Sequence, residues 1–276
     1  MTAKCILLFC CISEEKWGVI MKQYKGYLID LDGTMYRGNE PIEAASDFVD
    51  ALNRKPIPYL FVTNNSAMTQ QAVSEKLNKM GINSTPNHVF TSSMATAAYV
   101  KTKKADARCY VIGEEGLHQA LLQQGLTIVD SESDFVVAGI DRSITYEKLA
   151  KASLEIRNGA QFISTNSDVA IPTESGLVPG NGALTSVLTI STGVEPIFIG
   201  KPESIIMEAA LAALSLSAKE TIMVGDNYNT DICAGINAGI DTLMVFTGIT
   251  PFEELKRLDK QPTYHVNTLK EWIDNI

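Results

Sequence analysis

The chain has 276 residues, of which 45% are hydrophobic and 20% are charged, and its formal net charge is −9. This length allows one large or two medium domains with a buried core. The acidic balance argues against nucleic acid or an anionic membrane as a partner, and no apolar run approaches the ~20 residues of a membrane span.

The cysteines and histidines exclude several classes of site. The five cysteines are odd in number and form no Cys-x-x-Cys pair, which argues against a disulfide framework or a zinc site and favours the reducing cytoplasm. None of the three histidines lies in a recognisable catalytic context. A Ser-His-Asp or Cys-His hydrolase is therefore disfavoured.

Residues 1–21 differ in character from the rest of the chain. The apolar segment from Cys5 to Ile12 is short for a secretory signal, and no small-residue cleavage site follows it. The codons required from Trp17 to Met21 form a G-rich patch before an ATG. We therefore expect residues 1–21 to be a non-native or disordered leader, with Met21 as the natural start. A weak export signal and an extra element packed on the core are the alternatives.

The first regular element is an apolar strand that stops at Asp30 and is followed by Asp32-Gly33-Thr34. In a parallel sheet, residues just past a strand lie in the ligand-binding crevice. Asp30 and Asp32 would point the same way, and two close carboxylates favour a hard divalent cation between them. The alternative is an ordinary turn, since Asp-Gly is a common turn dipeptide.

Strands and helices then alternate. A helix is predicted over Pro41–Leu52 and a strand over Tyr59–Val62, after which Ser66 is the predicted N-cap of a helix running to Met80. Thr63 falls between a strand end and a helix N-terminus, where an anion can bind. A simple capping turn is the alternative.

A second α/β module is predicted over residues 88–195, which are numerous enough to fold as a unit. Its predicted strands are Arg108–Ile112, Phe135–Ala138 and Phe162–Thr165, and its predicted helices are Gly116–Gln124, Thr145–Arg157 and Ala183–Ser191. The glycine-rich loop Pro179–Gly182 leads into the last helix.

The first pattern resumes after this module, so residues 22–87 and 196–276 are predicted to form one core. The strand Pro196–Ile199 brings Lys201 to a helix N-terminus, although most lysines are simply surface residues. The strand Thr221–Val224 stops before Asp226 and Asp231. Because right-handed βαβ connections place strand ends on one edge of the sheet, these loops can converge with those of Asp30 and Thr63.

These loops resemble the four motifs of the haloacid dehalogenase (HAD) superfamily. The matching stretches are DLDGT at Asp30–Thr34, VTNNS at Val62–Ser66, GKP at Gly200–Pro202 and GDNYNTD at Gly225–Asp231. The position of the inserted module resembles the NagD branch of phosphatases, as do Thr165–Asp168 and Pro179–Ala183. The resemblance implies an α/β fold, with a Rossmann-like three-layer core around a parallel sheet and a large inserted α/β cap domain.

The resemblance also implies roles for the acidic residues. Asp30 would be the nucleophile that forms an aspartyl-phosphate, and Asp32 the general acid and base. Mg²⁺ would be held by Asp30, the backbone carbonyl of Asp32 and Asp226, with Asp231 supporting the ligands.

Binding residues and substrate class follow from the same resemblance. Thr63, Asn64 and Lys201 would bind the phosphoryl group. Asn166, Asp168 and Asn181 of the cap would read the leaving group, with ordinary turn chemistry as their alternative role. The implied function is a Mg²⁺-dependent cytoplasmic phosphatase for small phosphorylated metabolites (sugar phosphates, acid-sugar phosphates or nucleotides), with homo-oligomerisation through the cap as a further expectation. A phosphomutase and a non-catalytic phosphometabolite sensor are the alternatives.

Overall fold

The computed structural model describes residues 22–173 and 175–276, so the prediction for residues 1–21 falls outside the described part. In chain order the strands are β1 (Gly26–Ile29), β2 (Tyr36–Arg37), β3 (Glu40–Pro41), β4 (Tyr59–Thr63), β5 (Val89–Thr91), β6 (Arg108–Ile112), β7 (Thr127–Ile128), β8 (Phe135–Ala138), β9 (Gln161–Ser164), β10 (Ala170–Thr173), β11 (Gly176–Pro179), β12 (Ile197–Phe198), β13 (Thr221–Gly225), β14 (Asp241–Val245) and β15 (Tyr264–Val266). The α-helices are α1 (Ala45–Arg54), α2 (Gln70–Lys79), α3 (Ser92–Lys103), α4 (Glu115–Gln123), α5 (Tyr146–Arg157), α6 (Asn181–Thr192), α7 (Ser204–Leu214) and α8 (Cys233–Asn237).

Two parallel sheets organise these elements, which confirms the predicted α/β class. A six-stranded sheet has the order β15-β14-β13-β1-β4-β5, and a five-stranded sheet has the order β12-β9-β8-β6-β7. Two antiparallel hairpins, β2-β3 and β10-β11, were not predicted. Their strands have two and four residues, too few for a clear alternating pattern.

Apolar side chains cover both faces of the six-stranded sheet. All four residues of β1 are buried, as expected for a central strand of a parallel sheet. Phe48 of α1 and Leu77 of α2 pack on one face, and Met207 of α7 packs on the other. The six-stranded sheet therefore lies between two helical layers.

The boundaries predicted at residues 88 and 196 are each wrong by one strand. β5 pairs with β4, so it belongs to the six-stranded sheet. β12 pairs with β9, so it belongs to the five-stranded sheet. Each is a run of two or three residues whose apolar character suits either sheet, and only the pairing distinguishes them.

Helix α2, which follows the loop after β4, begins later than predicted. The N-cap is Thr69, whose hydroxyl accepts the N–H of Ala72 at 3.2 Å. Ser66 instead accepts the N–H of Ile140, beyond β8, at 3.1 Å, and Ala67 accepts the N–H of Gly116 at 2.9 Å. Ser66 and Ala67 thus join the loop to the carboxyl side of the five-stranded sheet.

Candidate active site

Three carboxylates converge at the carboxyl edge of the six-stranded sheet. Asp30 follows β1 and Asp226 follows the adjacent β13, while Asp231 lies in a π-helical turn, Tyr228–Ile232, just beyond. One carboxylate oxygen from each lies within 4.8 Å of the others, and all three residues are buried. This is the crevice at which open parallel sheets bind ligands.

Lys201 is the cation at the centre of this group. Its Nζ donates to Oδ1 of Asp30 at 2.5 Å, to Oδ1 of Asp231 at 2.7 Å and to the carbonyl of Val62 at 3.0 Å. An ammonium has three N–H donors, so all of them are engaged. Lys201 therefore orients the buried carboxylates, and a phosphoryl oxygen could reach it only by sharing or displacing one of these bonds.

Lys201 does not follow a strand of the six-stranded sheet as predicted, because β12 belongs to the other sheet. The amide side chain of Asn64 holds it in place instead. Oδ1 of Asn64 accepts the backbone N–H of Lys201 at 2.8 Å, and Nδ2 donates to the Lys201 carbonyl at 2.9 Å. The side chain of Asn64 thus binds protein backbone rather than facing the crevice as a free phosphate ligand.

Asp226, a predicted metal ligand, is held in place by contacts that the sequence analysis did not predict. Its Oδ1 accepts the hydroxyl of Thr34 at 3.0 Å, and its Oδ2 accepts the backbone N–H of Ile249 at 2.7 Å. A Cβ on Gly33 would lie 2.4 Å from Asp226, and one on Gly248 would lie 1.9 Å from it. Only glycine leaves room for this carboxylate at both positions.

The charges of this group shift the pKa values of its members. Burial, and then the charge of Asp231, raise the pKa of Asp30 well above its ordinary value, although Lys201 opposes them. The same two causes raise the pKa of Asp226 to about 6. Burial lowers the pKa of Lys201, but Asp231 and Asp30 outweigh it, so the net shift is upward. One ammonium thus lies among three buried carboxylates and hydrogen-bonds two of them.

A divalent cation fits this donor set. The carboxylate oxygens are hard ligands of the type that Mg²⁺ binds, and one ammonium leaves two of the three negative charges uncompensated. The clustered carboxylates are Asp30, Asp226 and Asp231. The carboxyl of Asp32 stands apart from them, in keeping with a ligand role limited to its backbone carbonyl.

Asp30 and Asp32 differ in environment although they are two residues apart. Asp30 is 8% exposed, and within the described residues its Oδ2 receives no hydrogen bond. Asp32 is exposed, yet the surrounding protein raises its pKa, with the cation of Lys76 opposing that shift. A raised pKa suits a carboxyl that must carry a proton near neutral pH.

Thr63 ends β4 beside Asp30 and is 8% exposed. Its Oγ1 accepts the backbone N–H of Asn65 at 3.1 Å. The hydroxyl proton of Thr63 has no acceptor in the described part of the chain, so it can be donated to a phosphoryl oxygen.

The predicted cap residues form a network that joins the two sheets. Asp168 accepts Nδ2 of Asn64 at 3.1 Å and Nδ2 of Asn166 at 2.7 Å. Nδ2 of Asn181 donates to the carbonyl of Asn166 at 2.8 Å. These side chains hold loops together, and the acceptor left over is Oδ1 of Asn181, which is buried without a partner among the described residues.

A cavity of about 390 Å³ lies away from these residues. Tyr59, Val89 and Leu214 line it, so it lies where β4 and β5 begin, opposite the carboxylates. We therefore place the chemistry at the carboxyl edge.

None of the helices formed by residues 22–173 and 175–276 is long and apolar enough to cross a membrane.

The parallel core, the second sheet and the clustered aspartates with their lysine define the class of the protein as a hydrolase of the HAD type. The haloacid dehalogenase-like hydrolase family matches residues 27–127, and the HAD-hydrolase-like family matches residues 198–272. The chain belongs to the HAD family, and within it to the NagD-like phosphatases, which hydrolyse phosphoric monoesters.

Relatives of known name cover nearly the whole chain. The 5′-nucleotidase YutF of Bacillus subtilis (strain 168) is 60% identical over 256 residues, which is 93% of this chain and 100% of the relative. The acid sugar phosphatase of Staphylococcus haemolyticus is 53% identical over 257 residues, which is 93% of this chain and 98% of the relative. The solved p-nitrophenyl phosphatase of Archaeoglobus fulgidus is 34% identical, with a TM-score of 0.87, and the match covers 92% of this chain and 100% of that one.

Proposed function

We propose that this phosphatase hydrolyses small phosphorylated metabolites (sugar phosphates, acid-sugar phosphates or nucleotides) with Mg²⁺ and through an aspartyl-phosphate on Asp30. The observation that carries the proposal is the state of the Asp30 carboxylate. Lys201 holds its Oδ1 at 2.5 Å, while Oδ2 is left without a hydrogen bond from the described residues. The names of the relatives support the substrate class.

The residues that would hold Mg²⁺ are Asp30, Asp226 and the backbone carbonyl of Asp32, supported by Asp231. When bound, the ion would offset the negative charge that a phosphate dianion brings to three carboxylates and would stabilise the charge on the transferring phosphoryl group. Thr34 and the Ile249 amide hold Asp226 in its orientation through the hydrogen bonds described above.

In the first step, Oδ2 of Asp30 attacks phosphorus, and the bond from phosphorus to the leaving oxygen breaks. The carboxyl of Asp32 donates its proton to that oxygen, so the alcohol leaves neutral. Lys201 fixes the orientation of Asp30 during the attack, and the hydroxyl of Thr63 donates to a phosphoryl oxygen. The product of this step is an aspartyl-phosphate, which divides a difficult displacement into two easier ones.

In the second step, the Asp32 carboxylate removes a proton from water as the water oxygen attacks phosphorus. The bond between phosphorus and Oδ2 of Asp30 breaks, which releases inorganic phosphate and regenerates both carboxyl groups. The sheet bearing Asn166, Asp168 and Asn181 acts as a cap over the crevice, and these residues contribute to recognition of the leaving group.

An acid-quench experiment tests the chemistry. Wild type, Asp30→Asn, Asp32→Asn and the exposed control Asp47→Asn are mixed with p-nitrophenyl phosphate and Mg²⁺, with and without EDTA. We expect metal-dependent release of phosphate that Asp30→Asn abolishes and Asp47→Asn leaves unchanged. A nitrophenolate needs little protonation, so Asp32→Asn should accumulate the phosphoenzyme. Wild-type turnover by Asp30→Asn would overturn the nucleophile assignment.

The same assay distinguishes the alternatives. A phosphomutase would interconvert isomeric sugar phosphates without releasing phosphate, and a sensor would bind a phosphometabolite without turning it over. The raised pKa of the exposed Asp32 carboxyl favours hydrolysis, because a sensor has no use for a general acid.

We also propose that two copies of the enzyme associate through the cap. Residues 175–194 contain no charged side chain and expose Leu177 by 77% and Ile190 by 83%. A neutral apolar face suits a second copy of the same chain, since two chains of net charge −9 repel elsewhere. Light scattering should give a dimer that Ile190→Asp converts to monomer. A monomeric wild type would contradict this proposal.

The cytoplasm is the proposed location. The support for it is the use of cysteine, since Cys109 and Cys233 are both free thiols and such thiols persist in a reducing compartment. Fractionation of the native cells, with the chain detected by antibody, tests this assignment.

A further inference from the structure

Lys76 lies in α2, outside the four motif loops, and close to the loop that carries Asp32. Its Nζ lies 4.0 Å from the centroid of the Tyr36 ring. Tyr36 itself is buried, and its carbonyl accepts the N–H of Gly33 at 2.8 Å. Tyr36 also pairs with Asp32 in an isolated β-bridge. The ring that carries the Lys76 cation is therefore part of the catalytic turn.

Lys76 is half-buried, and its ammonium contacts the ring of Tyr36. Other lysines in the described part of the chain, such as Lys148 and Lys201, pair with a carboxylate within 4.0 Å, whereas Lys76 forms no such pair there. Burial lowers the pKa of Lys76, and Asp32 opposes this shift. A cation that is partly removed from water without an acceptor is costly, unless a ligand supplies the anion.

The place of Lys76 relative to the reaction follows from Asp32. Asp32 donates to the leaving oxygen, so the group attached to that oxygen lies next to Asp32. The charge of Asp32 acts to raise the pKa of both Tyr36 and Lys76, and the ammonium lies 4.0 Å from the ring of Tyr36 in the same turn, so Lys76 lies in the neighbourhood of Asp32. The flexible stem of a lysine gives the ammonium further reach toward the crevice.

Two other cations of this region, Lys201 and Arg37, are hydrogen-bonded to protein oxygens. All three donors of Lys201 are used, as described above. Arg37 follows Tyr36, but its Nε donates to the carbonyl of Thr247 at 2.7 Å and the residue is exposed. A substrate with a second negative charge would meet three carboxylates in a chain of net charge −9, so its binding requires a fixed cation near the leaving group.

We propose that Lys76 is a specificity-determining residue whose ammonium binds a carboxylate on the leaving group of the substrate. This inference rests on the proposed phosphatase function and narrows its substrate class to phosphate esters of acidic alcohols. Lys76 forms or breaks no bond in the reaction, and it contributes by pairing with the substrate.

A matched pair of compounds tests the assignment. 3-Phosphoglycerate and glycerol 3-phosphate carry the same primary phosphate ester. The first has a carboxylate at the position where the second has a hydroxymethyl group. Each is assayed as a substrate and as a competitor of p-nitrophenyl phosphate, with Mg²⁺ present. The proteins are wild type, Lys76→Met, Lys76→Gln, Lys76→Arg and Lys79→Met, in which Lys79 is an exposed lysine of the same helix.

We expect Lys76→Met and Lys76→Gln to weaken the binding of 3-phosphoglycerate by about 10- to 100-fold, the range for loss of a hydrogen bond to a charged group. The loss should appear in KM or in the inhibition constant more than in kcat. The KM or inhibition constant of glycerol 3-phosphate should change by less than about threefold. Lys76→Arg should keep most of the preference for the acid, and Lys79→Met should match wild type.

Several outcomes would overturn the assignment. Equal losses with both compounds would mean that Lys76 acts through Asp32 or through packing on Tyr36. A wild type without preference for the acid, as substrate or as competitor, would exclude an anion site at Lys76. Failure of the phosphatase function is a separate result, because the wild type would then leave p-nitrophenyl phosphate intact as well.

Discussion

Replacing Asp226 by asparagine should stabilise the metal-free protein while it abolishes activity. The carboxylate is fully buried, and its pKa is raised to about 6 from the ordinary 3.8 by burial and by Asp231. Asparagine has the same shape. Its amide oxygen can accept the Ile249 N–H, and its amide nitrogen can donate to Thr34 Oγ1, since a hydroxyl both donates and accepts.

The sign of the effect follows from the raised pKa. The folded protein binds the Asp226 proton more tightly than the unfolded chain does, so this site favours folding below about pH 4 and loses that contribution as the pH rises through about 6. Above pH 6 the buried charge costs about 3 kcal/mol, at 1.36 kcal/mol per pKa unit. We expect Asp226→Asn to exceed wild type by about 2–3 kcal/mol near pH 7.5, and to equal it near pH 4.

Urea unfolding in EDTA, followed by circular dichroism from pH 4 to pH 8, measures this difference. Mg²⁺ should then stabilise wild type but not Asp226→Asn, because a ligand stabilises only the form that binds it. The exposed Asp47→Asn serves as control. A variant less stable than wild type at every pH, or a difference that does not change with pH, would refute the reasoning.

Three further substitutions test the site and its support. Lys201→Met should lower the free energy of unfolding by about 3–5 kcal/mol, since it leaves buried carboxylates unpaired; a loss under about 1 kcal/mol in urea unfolding would contradict this. Gly248→Ala should reduce phosphate release at least about tenfold by displacing Asp226, with a crystal structure to locate the carboxylate, and full activity would mean that the loop gives way. Ser66→Ala should cost about 1–3 kcal/mol by leaving the buried Ile140 N–H unsatisfied, and thermal melting at an unchanged temperature would count against it.

The strands and the meeting of the aspartates could be read from sequence because each has a local signature. The strands β6 and β8 match their predicted bounds, since a short, mainly apolar run marks a buried strand of a parallel sheet. The rule that parallel strands end on one edge then brings Asp30 and Asp226 together without knowledge of any contact.

The residues that hold the aspartates in place could not be predicted in the same way. A backbone N–H such as that of Ile249 leaves no mark on composition, and a glycine required for space, such as Gly248, resembles any loop glycine. One signal was present: Thr247 and Gly248 follow β14, which neighbours β13, so the strand-end rule applied to them as well. Lys201 was assigned to the wrong sheet because a two-residue strand carries too little pattern.

A short stretch of backbone connects β12 of the cap to Lys201 in the candidate active site. Phe198 ends the edge strand of the cap, and Lys201, three residues later, pairs with Asp30, the proposed nucleophile. Any rotation of the cap therefore pulls on the backbone that positions the Lys201 ammonium beside the Asp30 carboxylate. Chimeras that exchange caps among related phosphatases should keep their turnover only when residues 199–201 and Asn64 are transplanted as a unit.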